Sequence, residues 1–110
     1  MTYFHGSLTE IAAGEDLRPG PVGGGYSAAA ERVWATASLR MAYAWAARLQ
    51  RAQRLPLGPV HIYEVELVAP EVDVNALRTD AESVMARGGR VVRKVGTFAS
   101  KAAFEEFLQR

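Results

Sequence analysis

The sequence predicts a small domain of the α+β class, built from short strands and two principal helices. Three observations lead to this prediction. Apolar residues alternate along residues 60–68 as they do in a strand, and they recur with helical spacing in residues 38–53 and again after Ser100. The chain of 110 residues has the length of one domain, so we expect residues 1–110 to fold as a single unit.

The first two predicted strands are short and are separated by a long loop. They cover residues 3–7 and 33–36. Residues 14–27 between them are rich in glycine and proline, and residues 17–20 have the composition of a β-turn. The consecutive glycines at 23–25 lack the flanking residues of a phosphate-binding loop, so we interpret the stretch as a mobile loop.

A helix is predicted directly after the second of these strands. Ser38 can cap its first turn, and the helical pattern continues to about Gln53, shortly before Pro56. Its predicted core stripe consists of Leu39, Ala42, Tyr43, Ala46 and Leu49 or Gln50. The many small alanine side chains allow this helix to lie close against a sheet.

The strand at residues 60–68 has two different predicted faces. The face assigned to the core carries His61, Tyr63, Val65 and Leu67. The other face mixes apolar residues with Glu64 and Glu66, and we expect it to be open to water or to a site. We interpret His61 as a structural residue of the core face.

The last third of the chain contains three further predicted elements. Residues 72–74 continue the chain in an extended form, and residues 76–87 permit a helix. Residues 90–97 then form another strand. Ser100 can cap a short final helix, whose apolar stripe consists of Phe104, Phe107 and Leu108.

Composition excludes several classes of site. The chain has no cysteine, which removes disulfides and thiolate chemistry, and its two histidines are not spaced as metal ligands. A net charge of +1 gives no basic field for nucleic acid. No apolar run approaches the roughly 20 residues that cross a bilayer. We therefore expect a cytoplasmic protein without a metal or a membrane as partner, and nucleic acid is the least favoured of the other partners.

Few side chains are candidates for chemistry. His5 precedes a glycine at the end of the first strand, where a backbone can approach a ligand closely. Glu64 and Glu66 could serve acid–base chemistry, although a solvated strand face is the simpler interpretation. Trp34, Tyr43 and Trp45 could stack on a planar ligand, but such aromatic residues more often belong to a core, which is the simpler interpretation for Tyr43 and Trp45.

Five motifs follow one another in a fixed order along residues 3–97. They are Tyr3-Phe4-His5-Gly6-Ser7, Asp16-Leu17, Val33-Trp34-Ala35-Thr36-Ala37, the alanine-rich segment 42–49, and Ile62-Tyr63-Glu64-Val65-Glu66 followed by Pro70 and Asp73. In this order they resemble the small rifamycin ADP-ribosyltransferase family, which shares the fold of the diphtheria-toxin-like transferases. Arg90-Val91-Val92 resembles a late strand of that family.

The resemblance implies both a fold and an activity. The fold is a small split β-sheet around an NAD cleft, with a helix after the second strand and a short C-terminal helix. The activity is transfer of ADP-ribose from NAD, the co-substrate, to an acceptor or to water, with release of nicotinamide. The acceptor would be a small hydroxylated molecule such as a rifamycin, or a protein.

The resemblance also implies roles for six residues. His5 would hydrogen-bond a ribose hydroxyl of NAD, the Gly6 backbone would hold the nicotinamide carboxamide, and Ser7 replaces the family's threonine. Trp34 replaces the tyrosine that stacks on nicotinamide. Asp73 falls on the acidic position that would orient the acceptor or stabilise the developing cation. Glu66 matches a family position as a secondary candidate for cofactor binding.

Two other functions remain open at this point. The chain could be a module that holds NAD or another nucleotide without turnover, since Trp34 stands in place of the family's tyrosine. It could also be a structural or interaction protein that pairs through the strand at residues 60–68 or through the helix at residues 38–53.

Overall fold

The structure, a computed structural model, describes residues 2–17, 33–52, 58–72 and 83–110. Within these ranges the chain forms strands and two helices, which confirms the α+β class. The elements in order are β1 (Tyr3–Ser7), β2 (Asp16–Leu17), β3 (Val33–Thr36), α1 (Leu39–Ala52), β4 (Val60–Leu67), β5 (Glu71–Val72), β6 (Ser83–Ala86), β7 (Gly89–Phe98) and α2 (Lys101–Leu108). No helix of the described residues has the length and apolar character that crossing a membrane requires.

The described strands form one sheet with a narrow junction near its middle. The strand order is β2-β7-β4-β1-β3-β6-β5, and the paired strands are antiparallel. β1 pairs with β4 along its whole length, from Tyr3↔Val65 to Ser7↔His61. Between β1 and β3, by contrast, the described residues share only the pair Phe4↔Thr36. The sheet therefore consists of two parts that meet at β1 and β3.

The two faces of the sheet carry separate hydrophobic clusters. The face covered by α1 and α2 is built from Ala42, Ala46, Val60, Ile62, Phe98 and Phe104. The opposite face is built from Leu17, Val33, Ala35, Tyr63, Val65, Val84 and Val91. Both faces of β4 are thus buried along its first half. The helices cover one face, and the second hydrophobic cluster covers the other.

This double burial corrects the prediction for residues 60–68. Val60 and Ile62 are buried, at 2% and 0% exposure, although they lie on the face predicted to be open. The same face is open only at its far end, where Glu64 is half-buried and Glu66 is exposed. The sequence pattern could not reveal this, since it does not show how far along the strand the helices extend.

The capping serines predicted from the sequence mark the starts of both helices. The Ser38 hydroxyl accepts a hydrogen bond from the Met41 N–H at 3.2 Å, and the Ser100 hydroxyl accepts one from the Ala103 N–H, also at 3.2 Å. Both serines were predicted as N-caps, and both predictions are confirmed. Tyr43 of α1 stacks on Phe104 of α2 with ring centroids 4.5 Å apart, which joins the helices.

Two predictions of secondary structure were wrong. Ser83–Ala86 is a strand, β6, and not part of a helix; it pairs with β3, for example at Ala35↔Val84. Asp16–Leu17 lies in the stretch 14–27, which was interpreted as a loop, but it is a short strand that pairs with β7, so that α1 follows the third strand and not the second. The β-turn at 17–20, the glycine-rich loop beyond residue 17 and most of the extended stretch 72–74 lie outside the described residues.

Gly6 allows α1 to pack against the centre of the sheet. A Cβ at this position would overlap the carbonyl oxygen of Ala42 and would lie 3.1 Å from the Cβ of Ala46. Any larger residue must therefore push α1 away from β1. The close packing of α1 on β1 therefore explains why a glycine follows His5, independently of any ligand.

We expect Gly6→Ala to lower the free energy of unfolding by about 1–3 kcal/mol, because the added methyl group overpacks the contact between β1 and α1. Urea denaturation measures the loss. Gly88→Ala is the matched control, since a Cβ there would lie 3.5 Å from the nearest atom, the Leu17 carbonyl oxygen. Equal losses in the two variants would contradict this explanation of Gly6.

Candidate functional site

His5 lies at the junction between the two parts of the sheet. It occupies the centre of β1 and is 4% exposed. Its ring nitrogen Nδ1 is 2.7 Å from the backbone carbonyl oxygen of Trp34 in β3. This hydrogen bond joins β1 to β3 at a second point, in addition to their single described backbone pair, Phe4↔Thr36. The imidazole therefore connects two strands that backbone pairing joins only weakly.

The hydrogen bond fixes the tautomer of His5. A carbonyl oxygen can only accept, so Nδ1 carries the hydrogen and donates it to Trp34. Burial lowers the pKa of His5 below its ordinary value, and the bond to the Trp34 carbonyl opposes this only in part. The ring is therefore neutral near pH 7, and Nε2 carries a lone pair. Nε2 is enclosed and has no hydrogen-bond partner among the described residues.

Trp34 contributes a second enclosed polar atom. Its indole ring meets Trp45 of α1 edge to face, with centroids 6.4 Å apart and an interplanar angle of 81°. The indole Nε1–H, a donor, has no partner in the part of the chain that the structure describes. One acceptor and one donor, on opposite faces of the sheet junction, thus have no partner among the described residues. Buried polar groups in this state are uncommon, and a role in binding or catalysis is one explanation for them.

Ser7 has a local structural partner. Its hydroxyl donates to the Thr9 carbonyl oxygen at 2.8 Å and accepts from the Thr9 N–H at 3.1 Å. These bonds shape the turn that follows β1. Ser7 and Gly6 lie next to His5, as predicted, and each also has a structural reason for its identity.

The predicted acidic residues do not join this group in the described structure. Glu66 lies three residues beyond Tyr63, the β4 partner of His5, which corresponds to about 10 Å along the strand. Its carboxylate is exposed and bonds the Arg90 guanidinium at 2.8 Å. Asp73 lies outside the described residues. The structure thus brings His5, Gly6 and Ser7 beside the backbone of Trp34, and it places Glu66 elsewhere. The His5 side chain lies on the face of Tyr63, whereas the Trp34 ring lies on the opposite face, with Trp45 of α1.

The structure brings His61 into this neighbourhood, which the sequence did not predict. The register places Ser7 opposite His61 and His5 opposite Tyr63, so the two histidines are diagonal neighbours on one face of β1 and β4. His61 is buried, as its predicted place on the core face requires. Only the pairing of β1 with β4 could show that both histidines share one surface.

No family model matches the chain, and a search of curated proteins finds no match to it.

We expect the folding stability to fall as the pH drops below about 6.5, the ordinary pKa of histidine. Burial lowers the folded-state pKa of His5, so the unfolded chain binds more protons in this range, and protonation favours unfolding. Urea denaturation between pH 5 and 8 measures the loss.

His5→Asn should flatten this dependence, since asparagine does not titrate. His61→Asn is the matched control for the other histidine, whose pKa burial also lowers. Unchanged pH dependence in His5→Asn would show that His5 is not buried in its neutral form.

Proposed function

We propose that this chain transfers ADP-ribose from NAD to an acceptor, or to water, and releases nicotinamide. The observation that carries the proposal is the His5 imidazole. Its Nδ1 is held by the Trp34 carbonyl across the sheet junction, and its Nε2 is left as a buried acceptor without a partner among the described residues. Such an atom is suited to accept a hydrogen bond from a ribose hydroxyl.

The chemistry requires positioning more than a strong nucleophile. Cleavage of the bond between nicotinamide and ribose leaves an oxocarbenium-like carbon, so the ribose must be held firmly while the leaving group departs. His5 has one orientation and one tautomer, and it is neutral near pH 7, so it can bind a hydroxyl without adding positive charge beside the developing cation. The Trp34 ring lies on the other face of the junction, with Trp45, and there its indole N–H would supply a donor for a carboxamide or hydroxyl oxygen.

The strand arrangement supports the same proposal at the level of the fold. An ADP-ribosyltransferase-like domain has a split sheet, and here β1 and β3 share a single backbone pair among the described residues. The residues that the family motif assigns to NAD, His5 to Ser7 and Trp34, lie on the two strands at that junction. We place the NAD site there.

The acceptor is proposed by class only. A small hydroxylated molecule such as a rifamycin, or a protein, fits a chain whose net charge of +1 does not favour nucleic acid. In the proposed enzyme Asp73 keeps the role of the acidic residue. Glu66 is the weaker candidate, because its carboxylate already binds Arg90.

A second candidate function is a module that binds NAD without turnover. It is favoured by the enclosure of the two ring nitrogens that lack a partner in the described part of the chain, since a ligand reaches them only if the covering groups move. The ion pair between Glu66 and Arg90 also favours it, because the Glu66 carboxylate is then not free to take part in catalysis. This candidate shares the NAD site with the first and differs only in lacking chemistry.

We expect the purified protein to release nicotinamide from NAD, and His5→Asn to reduce the rate about 10²-fold, the loss typical of one positioned hydrogen-bonding group. Asparagine can retain the bond to the Trp34 carbonyl while removing Nε2. Chromatography of nicotinamide measures the rate, with and without rifamycins. Arg40→Gln is the control, because it removes only the ion pair with Glu105 between α1 and α2. Full activity in His5→Asn would contradict the site.

We also expect NAD to quench the tryptophan fluorescence in a saturable way. Trp45→Phe leaves Trp34 as the single indole, since the chain has 2 tryptophans, and should retain the quenching. Trp34→Phe keeps an aromatic ring but loses the Nε1 donor, so its affinity for NAD, measured by calorimetry, should fall about tenfold. NAD binding without nicotinamide release would select the second candidate function, and no binding at all would exclude both.

A further inference from the structure

The segment that connects β1 to β2 crosses the sheet. Residues 9–15 contain neither helix nor strand, and we call them the strap. At its far end the strap reaches β7, where the Gly14 N–H donates to the Val91 carbonyl oxygen at 2.8 Å and the Val91 N–H donates to the Glu15 carbonyl oxygen at 3.0 Å. Because β4 lies between β1 and β7 in the sheet, the strap passes over β4.

The strap contacts the middle of the sheet through Ile11. The Ile11 side chain packs on the hydrophobic cluster of the face opposite the helices, and every other described member of that cluster lies in a strand. The Ile11 N–H donates a hydrogen bond to the Tyr63 hydroxyl at 2.8 Å. Tyr63 is the direct partner of His5 across β1 and β4, and paired residues share one face. The strap therefore covers the sheet beside His5.

A surface ion pair also holds the strap. Lys94 of β7 donates to the Glu10 carboxylate at 2.9 Å. This hydrogen bond and the charge of Lys94 lower the pKa of the Glu10 carboxyl. The Glu10 side chain is 74% exposed, so water and salt screen the pair and it holds the strap only weakly.

Little apolar surface keeps the strap on the sheet. Among residues 9–15 only Ile11 is half-buried, and the others are exposed. The described contacts with β4 and β7 are one apolar side chain, one hydroxyl group, one surface ion pair and the backbone bonds to Val91. Segments with so few buried contacts open locally while the core stays folded.

We propose that the strap controls access to the NAD site, and that the hydrogen bond to the Tyr63 hydroxyl holds it closed. The inference rests on the proposed function and supplies the movement that uncovers the sheet face of His5, whose Nε2 is enclosed. NAD and the closed strap compete for that face. Since only the open fraction of the protein binds NAD, any change that loosens the strap raises the apparent affinity.

The opening of the strap is measured first, without NAD. Tyr63→Phe removes the hydroxyl group and keeps the ring. The readout is the exchange of the Gly14 amide hydrogen, followed by NMR, because this amide is bonded to β7 and not to Tyr63. We expect it to exchange faster than the β4 amides, and about fivefold faster again in Tyr63→Phe, the effect of one lost hydrogen bond. Tyr43→Phe is the matched control, since it removes the same group on the helix face, where Tyr43 stacks on Phe104.

Calorimetry then measures the affinity for NAD. We expect Tyr63→Phe to bind NAD about fivefold more tightly, because the open fraction rises by that factor. Glu10→Gln should tighten binding about twofold, the smaller effect of an exposed ion pair. Saturating NAD should in turn speed the exchange of the Gly14 amide, since binding and opening are linked. Tyr43→Phe should match the wild type in both measurements. Glu10→Gln, a change at an exposed side chain, decides the question if Tyr63→Phe does not fold.

The outcomes separate this inference from the proposed function. Faster strap exchange together with tighter NAD binding would support it. Exchange of the Gly14 amide only at the rate of the β4 amides would overturn the independent opening of the strap. Faster exchange in Tyr63→Phe with unchanged or weaker NAD binding would overturn the control of access and leave the transferase intact. Absence of NAD binding in the wild type and in every variant would overturn the proposed function, and the control of access with it, even where exchange shows that the strap opens.

Discussion

The hydrogen bond from His5 to the Trp34 carbonyl is the interaction on which the rest of the site depends. It joins β1 to β3, which share one backbone pair among the described residues. A side-chain hydrogen bond thus connects these two strands, whereas backbone hydrogen bonds connect the other strands of the sheet. The same bond fixes the tautomer that leaves Nε2 as an acceptor. Structure and chemistry are thus coupled in one contact, because a change that releases the imidazole also loosens the junction.

The neighbours of His5 serve the fold as well as the site. Gly6 is small because α1 lies directly on it, and Ser7 bonds the turn after β1. A motif such as His-Gly-Ser is therefore ambiguous evidence for function, since each residue after the histidine has a structural explanation. The ring nitrogens of His5 and Trp34 that have no partner among the described residues are the stronger evidence, because packing does not require a buried polar atom in that state.

Features set by nearby residues were predictable from the sequence, and features set by distant strands were not. Ser38 and Ser100 were identified as caps because a cap involves only the next few residues. Ser83–Ala86 was missed because this short segment is a strand only through its pairing with β3. The proximity of His5, Gly6 and Trp34 was implied by the family motif, but the place of His61 beside Ser7 depends on the register of β1 against β4. Asp73 lies outside the described residues, so its predicted role stays a prediction.

The enclosure of His5 sets a condition on the proposed reaction. Its Nε2 can hold a ribose hydroxyl only after the groups that cover it have moved, so NAD binding must include that movement. His61 is buried to nearly the same extent, at 6% exposure against 4% for His5, so burial alone does not give the two histidines different roles. What distinguishes them is the hydrogen-bond partner of Nδ1, a backbone carbonyl for His5 and the Thr97 hydroxyl for His61. A carbonyl oxygen can only accept and therefore fixes the tautomer of His5, whereas a hydroxyl group can donate or accept and leaves the tautomer of His61 open.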